Sequence, residues 1–479
     1  MNYRMIRYLL GVILTIEAAL LLLPMLTAWI FGESVLPFLF TILILMVFAV
    51  PSILFKPANT RIYAKEGFLC VAMSWILMSA FGALPFVFSD AIPNYVDALF
   101  ETVSGFTTTG STILFSIETL PKGVLLWRSL THWIGGMGVL VFLLAILPSS
   151  GGQTIHLLRA EVPGPTKGKL VPKLRQTALI LYGIYIAMTI VEMLALLCTG
   201  MPLYDSIVNA FGTAGTGGFA VLNDSIAGYH NPAAEWIIAV FMLLFSLNFN
   251  MYYFLLVRRV RDVAKNGELR GYLLICACAT AVICANTFKL FSTFGDCIRA
   301  SFFQVMSISS TSGFSTVDFN EWPALSKAVL TVLMIVGGCA GSTAGGLKFS
   351  RVIILAKSIV REIRQMIRPR SVHVVRMDGE VLPDETVNSA NRYLTVYLAI
   401  FIVSAFLITV DNFDAETNIT AVIACLNNVG PGFGKVGPSG TFGIYSYFSK
   451  IILSLDMLFG RLEILPMVIL FSPSAWRKR

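Results

Sequence analysis

Long uninterrupted apolar runs are the feature of this sequence that most restricts its fold. Many of them reach the ~20 residues that a helix needs to cross a bilayer. The 479 residues are 56% hydrophobic and only 13% charged, whereas a soluble globular protein carries about 25% charged residues. Strands of membrane barrels alternate apolar and polar residues, and these runs do not. The sequence therefore predicts an all-α polytopic membrane protein.

A short glycine-centred segment occurs four times, each time in a short apolar stretch between two long apolar runs. The copies are centred on Gly110, Gly218, Gly313 and Gly432. Each follows a candidate half-helix, at 98–106, 206–212, about 299–309 and 420–428. Asp97 and Asp205 are predicted to cap the first two half-helices, because aspartate is a good N-cap. Four such units can surround one axis, so the pattern predicts a pseudo-fourfold pore.

The chain divides around these units, with ten predicted spans and four half-helices. Two leading transmembrane helices fill residues 1–60. Four helix–P-loop–helix repeats follow at 61–150, 151–265, 266–360 and 391–479. A polar stretch at 361–390 separates the last two repeats, and its Asp378-Gly379 pair predicts a small cytoplasmic hairpin.

An ion that leaves water needs replacements for its hydration oxygens, and backbone carbonyls can supply them. Glycine permits the backbone dihedral angles that turn carbonyls toward an axis. A half-helix that ends at mid-membrane adds partial negative charge, which favours a cation. The predicted selectivity-filter residues, where potassium would bind, are Thr108, Thr109, Gly110, Thr216, Gly217, Gly218, Thr311, Ser312, Gly313, Gly430, Pro431 and Gly432.

Basic residues are placed by topology, so the net charge of +8 is not taken as a sign of nucleic-acid binding. They concentrate at both termini and in segments 56–65, 159–175, 258–270 and 348–376. Cytoplasmic connections of membrane proteins are rich in Lys and Arg. This pattern predicts that both termini are cytoplasmic.

Little in the sequence suggests an enzyme. The eight cysteines form no CxxC pair, and the four histidines lie in no cluster with acidic residues. There is no GxxxxGK[ST] motif and no dinucleotide fingerprint after a strand. We therefore predict that the chain binds no cofactor itself.

Several further motifs accompany the glycine segments. They are His132-Trp-Ile-Gly-Gly-Met-Gly138, Gly337-Gly-Cys-Ala-Gly-Ser-Thr343, Asn427-Asn-Val-Gly-Pro-Gly432 and Met457-Leu-Phe-Gly-Arg-Leu-Glu463. Together they resemble the Trk/Ktr/HKT superfamily of potassium transporters over nearly the whole chain. The two leading helices make the chain most similar to the membrane subunits of bacterial Trk potassium uptake systems.

The resemblance implies potassium uptake across the inner membrane of a bacterium. Glycine at all four filter positions, Gly110, Gly218, Gly313 and Gly432, implies selectivity for potassium. The resemblance also implies a homodimer and a cytoplasmic nucleotide-binding regulatory subunit of the TrkA type. That partner would dock on the basic cytoplasmic face, including 366–383.

A glycine-rich segment at 337–346 interrupts an otherwise apolar helix, and Arg461 is a charge within another. The resemblance implies that this segment is a gating loop below the filter and that Arg461 lies beside it. Close helix packing and a snorkelling arginine are the alternatives. The predicted gate residues are Gly337, Gly338, Gly341, Ser342, Thr343, Gly345, Gly346 and Arg461.

Two other functions remain open from the sequence. One is a symporter that couples potassium to protons or sodium, and the other is a sodium-permeable member of the same superfamily. Coupling would need an ionisable residue within the pathway, and Arg461 is the obvious one in the sequence.

Overall fold

The computed structural model describes residues 1–55, 57, 59, 63–138, 174–462 and 464–473. These residues are mostly helical. The sheet among them is a two-stranded antiparallel hairpin, Arg376–Met377 with Glu380–Val381. Asp378 and Gly379 form its turn with positive φ angles of 52° and 85°, as a type I′ turn requires. The hairpin forms as predicted, and its cytoplasmic location stays a prediction.

The leading segment is a helical pair. Tyr3–Leu20 continues through Leu22–Ile30, and Leu36–Leu54 returns along it. Gly11 allows this close approach, because a Cβ at that position would lie 2.6 Å from the Cβ of Ser52.

Four units follow, each with a long helix, a half-helix and a second helix. The first contains Ala64–Gly82, Leu84–Phe88, the half-helix Tyr95–Phe106, and Lys122–Met137. The second contains Leu174–Cys198, the half-helix Leu203–Gly215, Pro232–Phe245, Phe249–Leu256 and the short Val260–Lys265. The third contains Gly267–Thr287, the half-helix Phe294–Ser309, Ala324–Val336 and Phe349–Ile367. The fourth contains Asp384–Leu407, the half-helix Ala415–Leu426, Tyr447–Arg461 and Leu465–Leu470.

The outward surface suits a membrane. Six helices of the described residues are long and apolar enough to cross a bilayer, or seven if the pair around a 91° bend at Phe245–Phe249 counts as one. Large apolar side chains such as Phe40, Leu274 and Ile402 are exposed on this surface. Residues 139–173, which include most of the predicted basic segment 159–175, lie outside the described residues. The count of ten spans therefore stays a prediction.

The half-helices begin earlier than the sequence suggested. Asn94 caps the first one, and its side chain accepts hydrogen bonds from the N–H groups of Val96 and Asp97 at 2.8 and 3.4 Å. The predicted caps Asp97 and Asp205 are wrong, because both lie inside the first turn. Acidic side chains there stabilise the positive end of the helix dipole, so the same residue type fits both positions.

Two apolar cores hold the units together in pairs. One joins the leading helices to units one and four, and includes Leu9, Trp75, Phe100 and Leu453. The other joins units two and three, and includes Ile238, Phe303 and Leu330. They include residues of the first, third and fourth half-helices, and Val208 and Ala214 of the second half-helix lie in two smaller apolar clusters.

Candidate functional site

The glycine loops share one backbone geometry. In each, a residue with φ between 54° and 59° precedes a glycine of positive φ by two positions. The first residue donates its N–H to the carbonyl three positions back, and the second donates to the carbonyl five positions back. We call these segments the triplets, and they are residues 108–110, 216–218, 311–313 and 428–430. Their shared hydrogen bonds make them structural equivalents.

The fourth triplet corrects the sequence-based alignment. Gly430 has a φ of 101°, and the glycines of the other triplets have φ of 75–83°. Gly432 lacks a positive φ, and its N–H donates to the carbonyl of Val436 at 2.8 Å. Matching Gly432 to Gly110, Gly218 and Gly313 is therefore wrong by two residues. Pro431 and Gly432 lie outside the triplet, and Asn428 stands where the others carry threonine.

The four triplets close into a ring. Each glycine faces the carbonyl oxygen of the middle residue in the next triplet, in the pairs Gly110 with Gly217, Gly218 with Ser312, Gly313 with Val429, and Gly430 with Thr109. A Cβ at any of the first three glycines would collide with that oxygen, and at Gly430 it would lie 2.8 Å away. The fourth pair returns to the first triplet, so the contact order is cyclic. Only glycine fits these positions without a shift of backbone.

A cavity of about 210 Å³ meets the ring on the side of the connections that follow the half-helices. Its lining includes the four triplet glycines and the polar residues Ser111, Asn223, Asp224, Ser439 and Thr441. Backbone and polar side chains thus line the approach to the ring.

Side chains at the first triplet positions differ in their bonding. Thr216 donates to the carbonyl of Gly215 at 2.6 Å, and Thr311 accepts the N–H of Gly345 at 2.6 Å. Thr108 Oγ1 and Asn428 Oδ1 are buried with no hydrogen-bond partner among the described residues. Two of the four triplets therefore present a buried side-chain oxygen that no described residue satisfies.

A buried ion pair contacts the segments that follow the first two triplets. Arg128 Nε lies 2.6 Å from Glu101 Oε1, and both side chains are at most 2% exposed. Glu101 Oε2 also accepts the N–H of Ile113 at 2.9 Å. The Arg128 guanidinium lies 3.5 Å from the centre of the Phe219 ring and donates to the carbonyl of Ala220 at 3.3 Å. The ion pair therefore joins the segment after the first triplet to the segment after the second triplet.

We expect Glu101→Gln to lower the free energy of unfolding by about 3–5 kcal/mol, because it leaves the buried Arg128 charge uncompensated. Thermal or chemical unfolding in detergent would measure the change. Glu416→Gln is the matched control, since its pair with Lys327 is half exposed at Glu416 and such pairs contribute about 1 kcal/mol or less. Equal losses in both variants would contradict a structural role for the buried pair.

The predicted interruption at 337–346 is present. Ala324–Val336 ends before it and the next helix begins at Phe349, and we call residues 337–348 the 337–348 loop. It is fastened to the bend of the second unit. The backbone N–H of Cys339 donates to the carbonyl of Ser246 at 3.0 Å, and the N–H of Phe249 donates to the carbonyl of Gly341 at 3.0 Å. Thr343 donates to the carbonyl of Phe245 at 3.1 Å.

The 337–348 loop also contacts the inner ends of the third and fourth half-helices. Its Gly345 N–H bonds to Thr311, as noted above, and a Cβ on Gly345 would collide with the carbonyl of Asn427. The remaining predicted residues shape the loop. Gly337 packs on Gly346, Gly338 accepts the N–H of Phe349, and Ser342 donates to the carbonyl of Cys339.

Arg461 joins the 337–348 loop to the first unit. Its side chain is buried and donates from Nη1 to the carbonyl of Thr343 at 2.7 Å. Its Nη2 donates to the carbonyls of Gly135 and Gly136 at 2.5 and 2.7 Å. The structure therefore brings together Arg461 and the predicted gate segment. Glu463, the other charge in this motif, lies outside the described residues.

Sequence reasoning missed several buried ionisable residues. Glu17, Glu192 and Asp456 are buried within the helices, as are Glu101 and Arg128. Each is an acid or base inside an apolar run, and that signal alone marks a residue for attention in a membrane protein. Asn428 was missed because the alignment of the fourth triplet was shifted.

Comparison with known proteins gives full-length matches within one family. The model of the TrkH family, described as cation transport protein, matches residues 36–478. The Trk system potassium uptake proteins TrkH of Salmonella typhimurium and of Escherichia coli K12 are 35% and 34% identical to this chain, each over 100% of both chains. TrkG of Escherichia coli K12 is 33% identical over 99% of both chains.

A solved structure matches as well. The crystal structure of the potassium transporter TrkH from Vibrio parahaemolyticus superposes with a TM-score of 0.89 at 31% identity, over 100% of both chains. Sequence and structure agree over the full length, and the resemblance inferred from the motifs is confirmed. The chain belongs to the TrkH family of cation transport proteins.

Proposed function

We propose that this chain is the membrane subunit of a bacterial potassium uptake system and conducts potassium inward through the ring of triplets. The cyclic contact of four equivalent triplets carries the proposal, because it places four half-helix ends and their backbone carbonyls around one axis. The relatives named potassium uptake proteins support the choice of ion. Transport rather than catalysis follows from the same family membership.

The ring is the filter in this proposal. Carbonyl oxygens replace water around the ion without adding fixed charge, and the half-helix ends favour a cation. The side-chain oxygens of Thr108 and Asn428, which have no hydrogen-bond partner within the described part of the chain, would add ligands at the first triplet positions. The filter residues are then the four triplets, with 428–430 in place of 430–432.

The 337–348 loop and Arg461 form the gate. The loop lies against Thr311 and Asn427, at the inner ends of two half-helices. The guanidinium places a fixed positive charge beside it, which repels a passing cation. Potassium crosses when the loop and Arg461 move away from this position.

The assembly follows from the family and from charge placement. We infer ten spans and four half-helices in a pseudo-fourfold arrangement, with both termini cytoplasmic. A homodimer of this chain would work with a cytoplasmic nucleotide-binding subunit of the TrkA type. That subunit would dock near the hairpin at 376–381, beside the basic helix Phe349–Ile367.

Flux in liposomes that contain only this protein tests the proposal. We expect potassium and rubidium to cross faster than sodium and lithium, under an imposed gradient of each ion. Equal sodium and potassium flux would overturn the selectivity. Potassium accumulation driven by a pH gradient would replace the pore by a coupled symporter.

A further inference from the structure

Glu268 forms a hydrogen bond to the 337–348 loop. It lies in the first turn of Gly267–Thr287, and its side chain is buried. Its Oε1 accepts the N–H of Ala340, inside the loop, at 2.7 Å. The loop's bonds to Ser246 and Phe249 join neutral backbone groups. The bond to Glu268 involves a buried side-chain carboxyl, and its removal leaves the buried N–H of Ala340 without that acceptor.

The residue before Glu268 is bonded to the hairpin. The N–H of Gly267 donates to Asp378 Oδ1 at 2.8 Å. Asp378 is exposed in the hairpin turn, with a φ of 52°. Two hydrogen bonds and one stretch of backbone therefore connect a surface turn to the interior loop. The two bonds are made by adjacent residues, Gly267 and Glu268, at the start of one helix.

We propose that Glu268 is a positioning residue that latches the 337–348 loop in its closed position and couples it to the hairpin at 376–381. The inference rests on the proposed function, because it takes that loop to be the gate. In this proposal the gate opens when the hydrogen bond between Glu268 and Ala340 breaks. A partner that moves Asp378 loosens the bond between Glu268 and Ala340, so the loop can leave the ring.

The test compares potassium flux in liposomes for two matched pairs of variants of the full chain. Glu268→Ala removes the acceptor, whereas Glu268→Gln keeps an oxygen at the same position without the charge. Asp378→Gly removes the surface acceptor and suits the positive φ, whereas Asp378→Asn keeps both the acceptor and that backbone conformation. The ratio of potassium to sodium flux is measured for every variant.

Leaving a buried donor without its acceptor shifts an equilibrium by on the order of tenfold or more. We therefore expect Glu268→Ala to raise potassium flux by at least about tenfold, with Glu268→Gln between it and the unchanged protein. Asp378→Gly should raise flux by a smaller factor, and Asp378→Asn should not. The ratio of potassium to sodium flux should stay constant, because the latch does not touch the triplets.

Several results would contradict the proposal that Glu268 latches the 337–348 loop. One is unchanged flux in Glu268→Ala, and another is a rise accompanied by loss of selectivity, which would indicate general damage to packing. If Glu268→Ala does not fold, the two variants of the exposed Asp378 still test the proposal. Equal flux in Asp378→Gly and Asp378→Asn would reject the coupling between the hairpin and the loop. Absence of potassium flux in the unchanged protein and in every variant would instead reject the proposed function itself.

Discussion

Gly218→Ala should lower potassium flux at least about tenfold, since a left-handed backbone costs an alanine roughly 1–2 kcal/mol. Gly218 has a φ of 75°, and a Cβ there collides with the carbonyl oxygen of Ser312. Either the backbone at residue 218 leaves its positive φ or the neighbouring triplet moves, and both changes displace carbonyls of the ring. Flux of potassium and sodium in liposomes measures the effect, with selectivity falling together with rate.

Gly183→Ala is the control for this substitution. Gly183 lies in a helix, and no described residue comes within 4 Å of the position of a Cβ there, so flux should not change. The corrected fourth triplet can be tested in the same way. Gly430→Ala should reduce flux strongly, whereas Gly432→Ala meets mainly the side chains of Thr420 and Val436. A stronger effect at Gly432 would contradict the alignment of the fourth triplet with the others.

Arg461→Ala should raise basal potassium flux by about tenfold or more, because hydrogen bonds from a charged donor contribute about 1.5–3 kcal/mol each. The substitution frees the carbonyls of Thr343, Gly135 and Gly136. It also removes a positive charge from the proposed pathway. Flux in liposomes that contain only this chain measures the change.

Arg461→Lys separates the two causes. Lysine keeps the charge but lacks the planar fork that reaches three carbonyls at once. If hydrogen bonding holds the loop, flux should rise in this variant too. If charge repulsion alone limits flux, Arg461→Lys should resemble the unchanged protein. A fall in flux for both variants would contradict a gating role.

Much of the candidate site was predictable because its signals are local. The glycines at 110, 218 and 313, the interruption at 337–346 and the charge of Arg461 are each visible within a few residues of sequence. Half-helix starts were less predictable. Asn94 and Asp97 both suit the first turn of a helix, and only the bonds of Asn94 identify the cap.

The fourth triplet illustrates what local sequence leaves undecided. Gly430 and Gly432 are both glycines in an apolar context, so the sequence permits two alignments of the fourth glycine segment with the other three. The choice depends on hydrogen bonds from Asn428 and Val429 to the half-helix, and on contact of Gly430 with Thr109 in the first triplet. The contact of Gly430 with Thr109 joins residues more than 300 positions apart.

Hydrophobicity and glycine placement by themselves determined that the chain is a helical membrane protein with four glycine loops, because both act through neighbouring residues. Tertiary structure alone decided the cyclic order of the triplets, the pairing of Glu101 with Arg128, and the three carbonyls that Arg461 meets. It also decided that Glu268 reaches Ala340. These features depend on which groups from different units share a buried space, and burial in a low dielectric makes each such contact strong.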